Sequence, residues 1–269
     1  ESEGTWRLAC CHEHGEGVPQ DAAQAAIWHA KARPLMGSKD MLELVRLYKG
    51  RSETGSPAKA ALWCQRAADL GDPQRMRQLA THLAEGSGLK RDFGKAQEWL
   101  LKAAQMNDAD SMLSLAEFHL KHGGDPQKAQ QWLEKYADKE GAAGLLKIGY
   151  RYQEHNELGN DYPKAFAWFQ KAAAAGNAEG MWNLAWSYEH GDGVALDAVK
   201  AFEWYQKAAE AGNSQGMWHL ARCLDRGAGT AKDAQKAQQW LQKYVENEGG
   251  TGMVKIGKGY STDGQLGED

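Results

Sequence analysis

Proline is scarce in this chain, with six residues in 269, and cysteine scarcer still, with four. So few prolines leave helices uninterrupted. β-Branched residues are also sparse beside abundant alanine, a balance that favours helix over strand. No segment approaches the ~18 consecutive apolar residues of a bilayer-crossing helix, so a membrane-spanning helix is excluded. No block of lysine and arginine stands out and the net charge is −4, which argues against nucleic acid as a partner. Cys10 and Cys11 are adjacent while Cys64 and Cys223 stand far apart, so the expectation is small apolar side chains and not a disulfide framework. Motifs for nucleotide, dinucleotide or zinc-protease chemistry are missing, as is a Gly-x-Ser-x-Gly elbow. Neither catalysis nor a cofactor or metal is therefore expected. The first residues carry no apolar signal core, although a mature secreted protein, or one with a lipid anchor on a removed N-terminus, would begin in the same way.

What the chain has instead is 31 glycines and 11 tryptophans, and both follow a period. "EGMWNLAWSYEHGDGVALDAVKAFEWYQKA" (179–208) aligns without a gap on "EGTWRLACCHEHGEGVPQDAAQAAIWHAKA" (3–32). The frame returns after 36 residues at 215–244 and recurs at 75–104 and 144–177, with shorter turns at 41–71 and 111–136. Units run approximately over 2–37, 38–72, 73–108, 109–141, 142–177, 178–213 and 214–249, followed by a half unit at 250–261 and a tail at 262–269. "QKAQQWLEKY" (127–136) and "QKAQQWLQKY" (235–244) lie 108 residues apart, so a block of three units is itself duplicated.

Each unit reads as helix, turn, helix. In the unit starting at Ala178, Met181, Leu184, Ala185 and Tyr188 recur at helical steps on one face. Gly191 is placed to end that helix in a left-handed conformation and Asp197 to cap the next. Ala201, Trp204 and Ala208 form the stripe of the second helix. Neither helix buries its stripe alone, so neighbouring units must stack into a single continuous domain.

"LAWSYEHGDGV" (184–194) and "KAFEWYQKAAEAG" (200–212) resemble the Sel-one-like repeat, a relative of the tetratricopeptide repeat. The resemblance covers nearly the whole chain. It implies an all-α, right-handed superhelical solenoid of about seven and a half helix-turn-helix units, with the first helices lining a concave wall. Carried over by position, that wall includes Trp6, Leu42, Arg46, Arg77, Leu113, Leu146, Tyr150, Trp182, Trp186, Trp218, Arg222, Val254 and Lys258. Seven tryptophans (Trp28, Trp63, Trp99, Trp132, Trp168, Trp204 and Trp240) share one second-helix position and are expected in the core.

Aromatic and arginine side chains dominate binding energy at interfaces. The expected partner-binding residues are thus Trp6, Arg46, Arg77, Tyr150, Trp182, Trp186, Trp218 and Arg222, with Glu189 at the edge of the wall to meet a basic group. For Trp182 and Trp218, and also for Trp186 and Tyr150, the competing expectation is packing against the next first helix. "CCHEHGEG" (10–17) has the letters of a metal site, but in the repeat frame it is a helix end and turn, with His12 at the position of Tyr188. His119 of "HLKH" (119–122) occupies the same buried position, so a structural histidine is expected there.

The expected function is capture of a protein partner without catalysis. Among the roles implied by the family resemblance, the preferred one is bacterial immunity. In that role the chain neutralises a secreted antibacterial effector such as a type VI phospholipase, and it resides in the periplasm or on a membrane facing it. An adaptor for an envelope or regulatory complex, in the cytoplasm or periplasm, is the alternative. A carbohydrate- or peptide-binding module is the third.

Overall fold

A computed structural model describes residues 71–154 and 160–249, with scattered positions among 4–31 and 61–69. Trp6, Cys10, Leu42, Arg46, Trp63, Val254, Lys258 and the half unit 250–261 lie outside the described residues. The chain forms two compact units, Glu1–Trp132 and Leu133–Asp269. Among the described residues every regular element is a helix. These are α1 (Pro73–Glu85), α2 (Phe93–Gln105), α3 (Ala109–Lys121), α4 (Pro126–Gln153), α5 (Tyr162–Ala174), α6 (Ala178–His190), α7 (Ala198–Glu210), α8 (Ser214–Arg226) and α9 (Ala234–Glu248). In the first unit α1 packs on α2, and α2 on α3. In the second, each helix from α5 to α9 packs on its successor. α1 also touches α3, and α6 touches α8, so first helices meet first helices.

The helix ends follow from a few recurrent residues. Asp92, Asp161, Asp197 and Asp233 each accept the backbone N–H of a lysine three residues on, at 3.0–3.1 Å. The same lysine returns its ammonium to the other carboxylate oxygen at 2.7–3.7 Å. Each aspartate thus satisfies one orphan donor of a helix start and sets its charge against the helix dipole. The capping aspartates also tie the turn back to the preceding helix. The N–H of Asp197 donates to the carbonyl of Tyr188 at 2.9 Å, and that of Asp21 to the carbonyl of His12 at 2.8 Å. The Asp21–His12 bond is the counterpart of the Asp197–Tyr188 bond, while Cys10 and residues 13–16 of "CCHEHGEG" lie outside the described residues. Gly191 ends α6 with φ +79°, as expected. Gly193, two residues on, is required for a different reason: a Cβ there would sit 2.3 Å from the carbonyl oxygen of Tyr162 at the start of α5.

The duplicated block leaves a backbone signature. α4 is broken at Gly141 (φ +63°, ψ −145°), where the second helix of one repeat passes directly into the first helix of the next. Gly249, 108 residues later, takes φ +63° and ψ −144° at the end of α9. Such angles are essentially restricted to glycine.

The second-helix stripe corrects the expectation for the tryptophans. Trp168 is buried, but Trp28, Trp99, Trp132, Trp204 and Trp240 stay partly exposed. The deepest side chain is the one after each tryptophan: Leu100, Leu133, Phe169, Tyr205 and Leu241 are all 6% exposed or less. At about 100° per residue, alanines three before and four and five after the tryptophan centre the buried stripe nearly a quarter-turn from it. The indole therefore borders the core. A lysine one turn on covers its face, with Lys31, Lys102, Lys171, Lys207 and Lys243 placing their ammonium groups 3.9–4.8 Å from the ring centroids.

Candidate functional site

The expected wall residues divide sharply once first helices pack on first helices. Leu113, Leu146, Trp218 and Arg222 are 3%, 8%, 2% and 6% exposed, so these four are interior and not open wall. Trp218 rests against Tyr244 of α9, the second helix of its own repeat, with centroids 5.7 Å apart. Arg222 meets the preceding first helix, α6, where Glu189 lies 2.6 Å from its guanidinium. Arg77 is partly exposed but already engaged, donating to Asp108 at 2.7 Å and lying 3.4 Å from Asp110, at the start of α3. Tyr150, Trp182, Trp186 and Glu189 remain partly exposed.

In the second compact unit Tyr150 and Glu189 each belong to a polar knot, and Trp182 and Trp186 lie beside the second of these. In one, the hydroxyl of Tyr150 donates to Glu179 at 2.6 Å and accepts from the amide of Asn183 at 2.8 Å. Burial and the Glu179 carboxylate push the Tyr150 phenol well above its ordinary range. The hydroxyl thus stays protonated and serves as a bridge.

The other knot centres on Glu189 at the end of α6. One carboxylate oxygen accepts from Arg222 of α8 at 2.6 Å, and the other from the Tyr205 hydroxyl of α7 at 2.5 Å. Three helices converge on this single carboxylate. Burying Arg222 is tolerable only because this partner meets it. His219, beside it, stacks on Tyr205 with centroids 4.9 Å apart and planes at 13°. Its Nδ1 lies 3.9 Å from Glu189, too far for a hydrogen bond. Burial first, then Arg222 and His190, push its pKa down to about 3, so the ring is neutral and the contact is not an ion pair.

On the outer side of this knot lies a small aromatic surface. Trp186 stacks on the exposed His190 with centroids 3.9 Å apart and planes at 18°, and meets His219 edge-on at 5.5 Å. Trp182 lies 5.9 Å from Trp186. Side chains held on two sides in this way have little rotamer freedom left to lose on binding.

Sequence reasoning missed Asn183, His190, Tyr205 and His219. A signal was present for two of them: "WNLA" and "WHLA" put a polar residue between a tryptophan and the buried Leu-Ala pair. No group of three or more His, Cys, Asp or Glu among the described residues is placed to hold a metal. Cys64 and Cys223 are buried, and burial raises the Cys223 thiol to about 12, so it is inert at neutral pH. His119 is buried, its pKa lowered by burial and then by Lys128. No described helix is long and apolar enough to cross a membrane.

No curated protein is significantly similar to the chain. Solved structures are. One is a protective antigen of uropathogenic Escherichia coli, 25% identical over all of this chain and 58% of that one, with a TM-score of 0.47. The chain thus spans little more than half the length of that protein. Another is a Sel1 repeat protein from Oxalobacter formigenes, 22% identical over 96% of this chain and 76% of that one, with a TM-score of 0.49. A third is an immunity protein from Pseudomonas aeruginosa, 18% identical over 79% of this chain and 82% of that one, with a TM-score of 0.37. The Sel1 repeat profile matches at 2–33, 45–72, 76–108, 109–140, 142–177, 178–213 and 214–245. With seven repeats covering most of its length and all described elements helical, the chain belongs to the Sel1 repeat family, whose fold serves protein interaction.

Proposed function

We propose that this chain captures a protein partner through the aromatic surface of α6 and α8 and performs no catalysis. The observation that carries this reading is the Trp186–His190 stack, with Trp182 beside it, mounted on the Glu189–Arg222–Tyr205 knot. It combines the side chains enriched at binding hot spots with a support that fixes their orientation. The finer proposal is that the partner is a secreted antibacterial effector neutralised by this chain in the periplasm. Its support is that immunity against secreted toxins is among the roles of this family, and that similar solved structures include a Pseudomonas aeruginosa immunity protein.

Affinity capture from the native host, with identification of the retained protein, tests the first proposal. Trp186→Ala is expected to lower capture at least tenfold while moving the melting temperature by only a few degrees. An unchanged yield removes the aromatic surface from the interface. For the finer proposal, the captured protein is assayed with and without this chain. Full activity in the complex refutes neutralisation and leaves the adaptor role.

A further inference from the structure

Two open clefts, one in each compact unit, are built from the same repeat positions. The first, of about 580 Å³, has Leu79 and Leu83 of α1 as its floor, Trp99 of α2 as a wall, and Lys90, Arg91 and Lys95 at its rim. The second, of about 460 Å³, has Leu220 and Leu224 of α8, Trp240 of α9, and Lys232 and Lys236. Leu79, Leu83, Lys95 and Trp99 stand 141 residues before Leu220, Leu224, Lys236 and Trp240. Two independent copies of one cleft point to the residue types that create it.

The intervening repeats show what fills this space when it is not open. Leu83 and Leu224 occupy the position that is Tyr152 in the unit from residue 142 and Tyr188 in the unit from residue 178. There the chain supplies its own ring. Tyr188 packs edge-on against Phe166 at 5.4 Å, and the ammonium of Lys200 lies 5.3 Å from its centroid. Tyr152 carries Lys164 at 5.4 Å in the same manner. Lys95 and Lys236 are the counterparts of Lys200 and Lys164, so in the leucine repeats the lysine is present and the phenol is missing.

We propose that Leu83 and Leu224 open two equivalent docking clefts, each taking one tyrosine or phenylalanine side chain flanked by acidic residues from a partner protein. The incoming ring takes the place that Tyr188 and Tyr152 fill in their own repeats, between the leucine floor and the lysine. The rim selects the flanking residues by charge. Each cleft has a single carboxylate at its edge, Asp92 or Asp233, and each is already bound to the backbone N–H and ammonium of its own lysine. The remaining surplus is cationic: Lys90 and Arg91 in one, Lys232 in the other. These clefts share no residue with the surface of Trp182 and Trp186, and binding there is independent of that surface.

The test uses the full chain and a peptide labelled at its N-terminal amine, fluoresceinyl-Asp-Glu-Tyr-Glu-Asp-amide, followed by fluorescence polarisation at low salt. Saturable binding at two equivalent sites is expected. Replacing the peptide's tyrosine by alanine, or its acids by lysines, should weaken binding at least tenfold. The double variant Leu83→Tyr/Leu224→Tyr fills both clefts with the residue that other repeats already hold there. It should lose at least tenfold in affinity while keeping its helical circular dichroism, whereas Trp186→Ala should bind as the parent does. If the tyrosine pair disturbs folding, Lys95→Glu/Lys236→Glu replaces it, since glutamate suits the third position of a capped helix. Undiminished affinity in the folded variant, equal binding of the alanine peptide, or no saturable binding at about 1 mM peptide each overturns the assignment.

Discussion

Trp204 and Tyr205 are adjacent, and replacing each by alanine gives the most direct reading of how the second helices are seated. Tyr205 is fully buried, so Tyr205→Ala removes a ring from a closed space and leaves a cavity. It also deletes the hydroxyl that donates to Glu189. Buried aromatic truncations cost about 3–5 kcal/mol, and the lost charge-assisted hydrogen bond places this one at the upper end. Tyr205→Phe isolates the hydroxyl and should cost about 1–2 kcal/mol, because Glu189 is partly exposed and keeps Arg222. Trp204→Ala removes a larger side chain from the border of the core, where solvent fills the gap and no cavity term arises. Its cost is the burial of a partly exposed indole plus the Lys207 contact, about 2–3 kcal/mol. Urea unfolding followed by circular dichroism ranks the three. A Trp204→Ala variant less stable than Tyr205→Ala would show that the stripe is centred on the tryptophan after all, and would refute the assignment of the core to the following residue.

Other perturbations test the turns and the polar knot. Glu189→Gln leaves Arg222 buried without its counter-charge and should cost about 2–3 kcal/mol, discounted for the partial exposure of Glu189, in the same unfolding assay. His219 has a folded pKa of about 3 against an ordinary 6.5, so the unfolded chain binds its proton more readily. Stability from this group is complete above pH 6.5 and lost progressively as the pH falls towards 3, and His219→Phe should flatten that part of a melting-temperature profile. Gly193→Ala drives a Cβ against the Tyr162 carbonyl and should cost about 2–4 kcal/mol. Gly212→Ala, with φ +87° but open space around it, should cost only about 1–2 kcal/mol by thermal melting.

Local chemistry and period were legible in the amino-acid sequence alone. Asp197 as a helix cap, Gly191 as a left-handed stop, the pairing of helices and the need for units to stack all depend on residues within one repeat. Helical geometry is the same wherever such a segment stands, and for that reason the metal-like letters of "CCHEHGEG" could be read by alignment as a helix end and turn. What only the tertiary structure decided is which side chains face a neighbouring helix. Trp182 and Trp218 hold the same position in successive repeats, yet one is partly exposed and the other is buried against Tyr244, whose counterpart beside Trp182 is the smaller Ala208. Glu189, Arg222, Tyr205 and His219 come from three helices and span 33 residues, so no local pattern announces their convergence. The two clefts show both influences at once. A leucine where other repeats have tyrosine is visible in the sequence, but that a lysine, a tryptophan and two leucines enclose the missing ring's space is a property of the packed repeats.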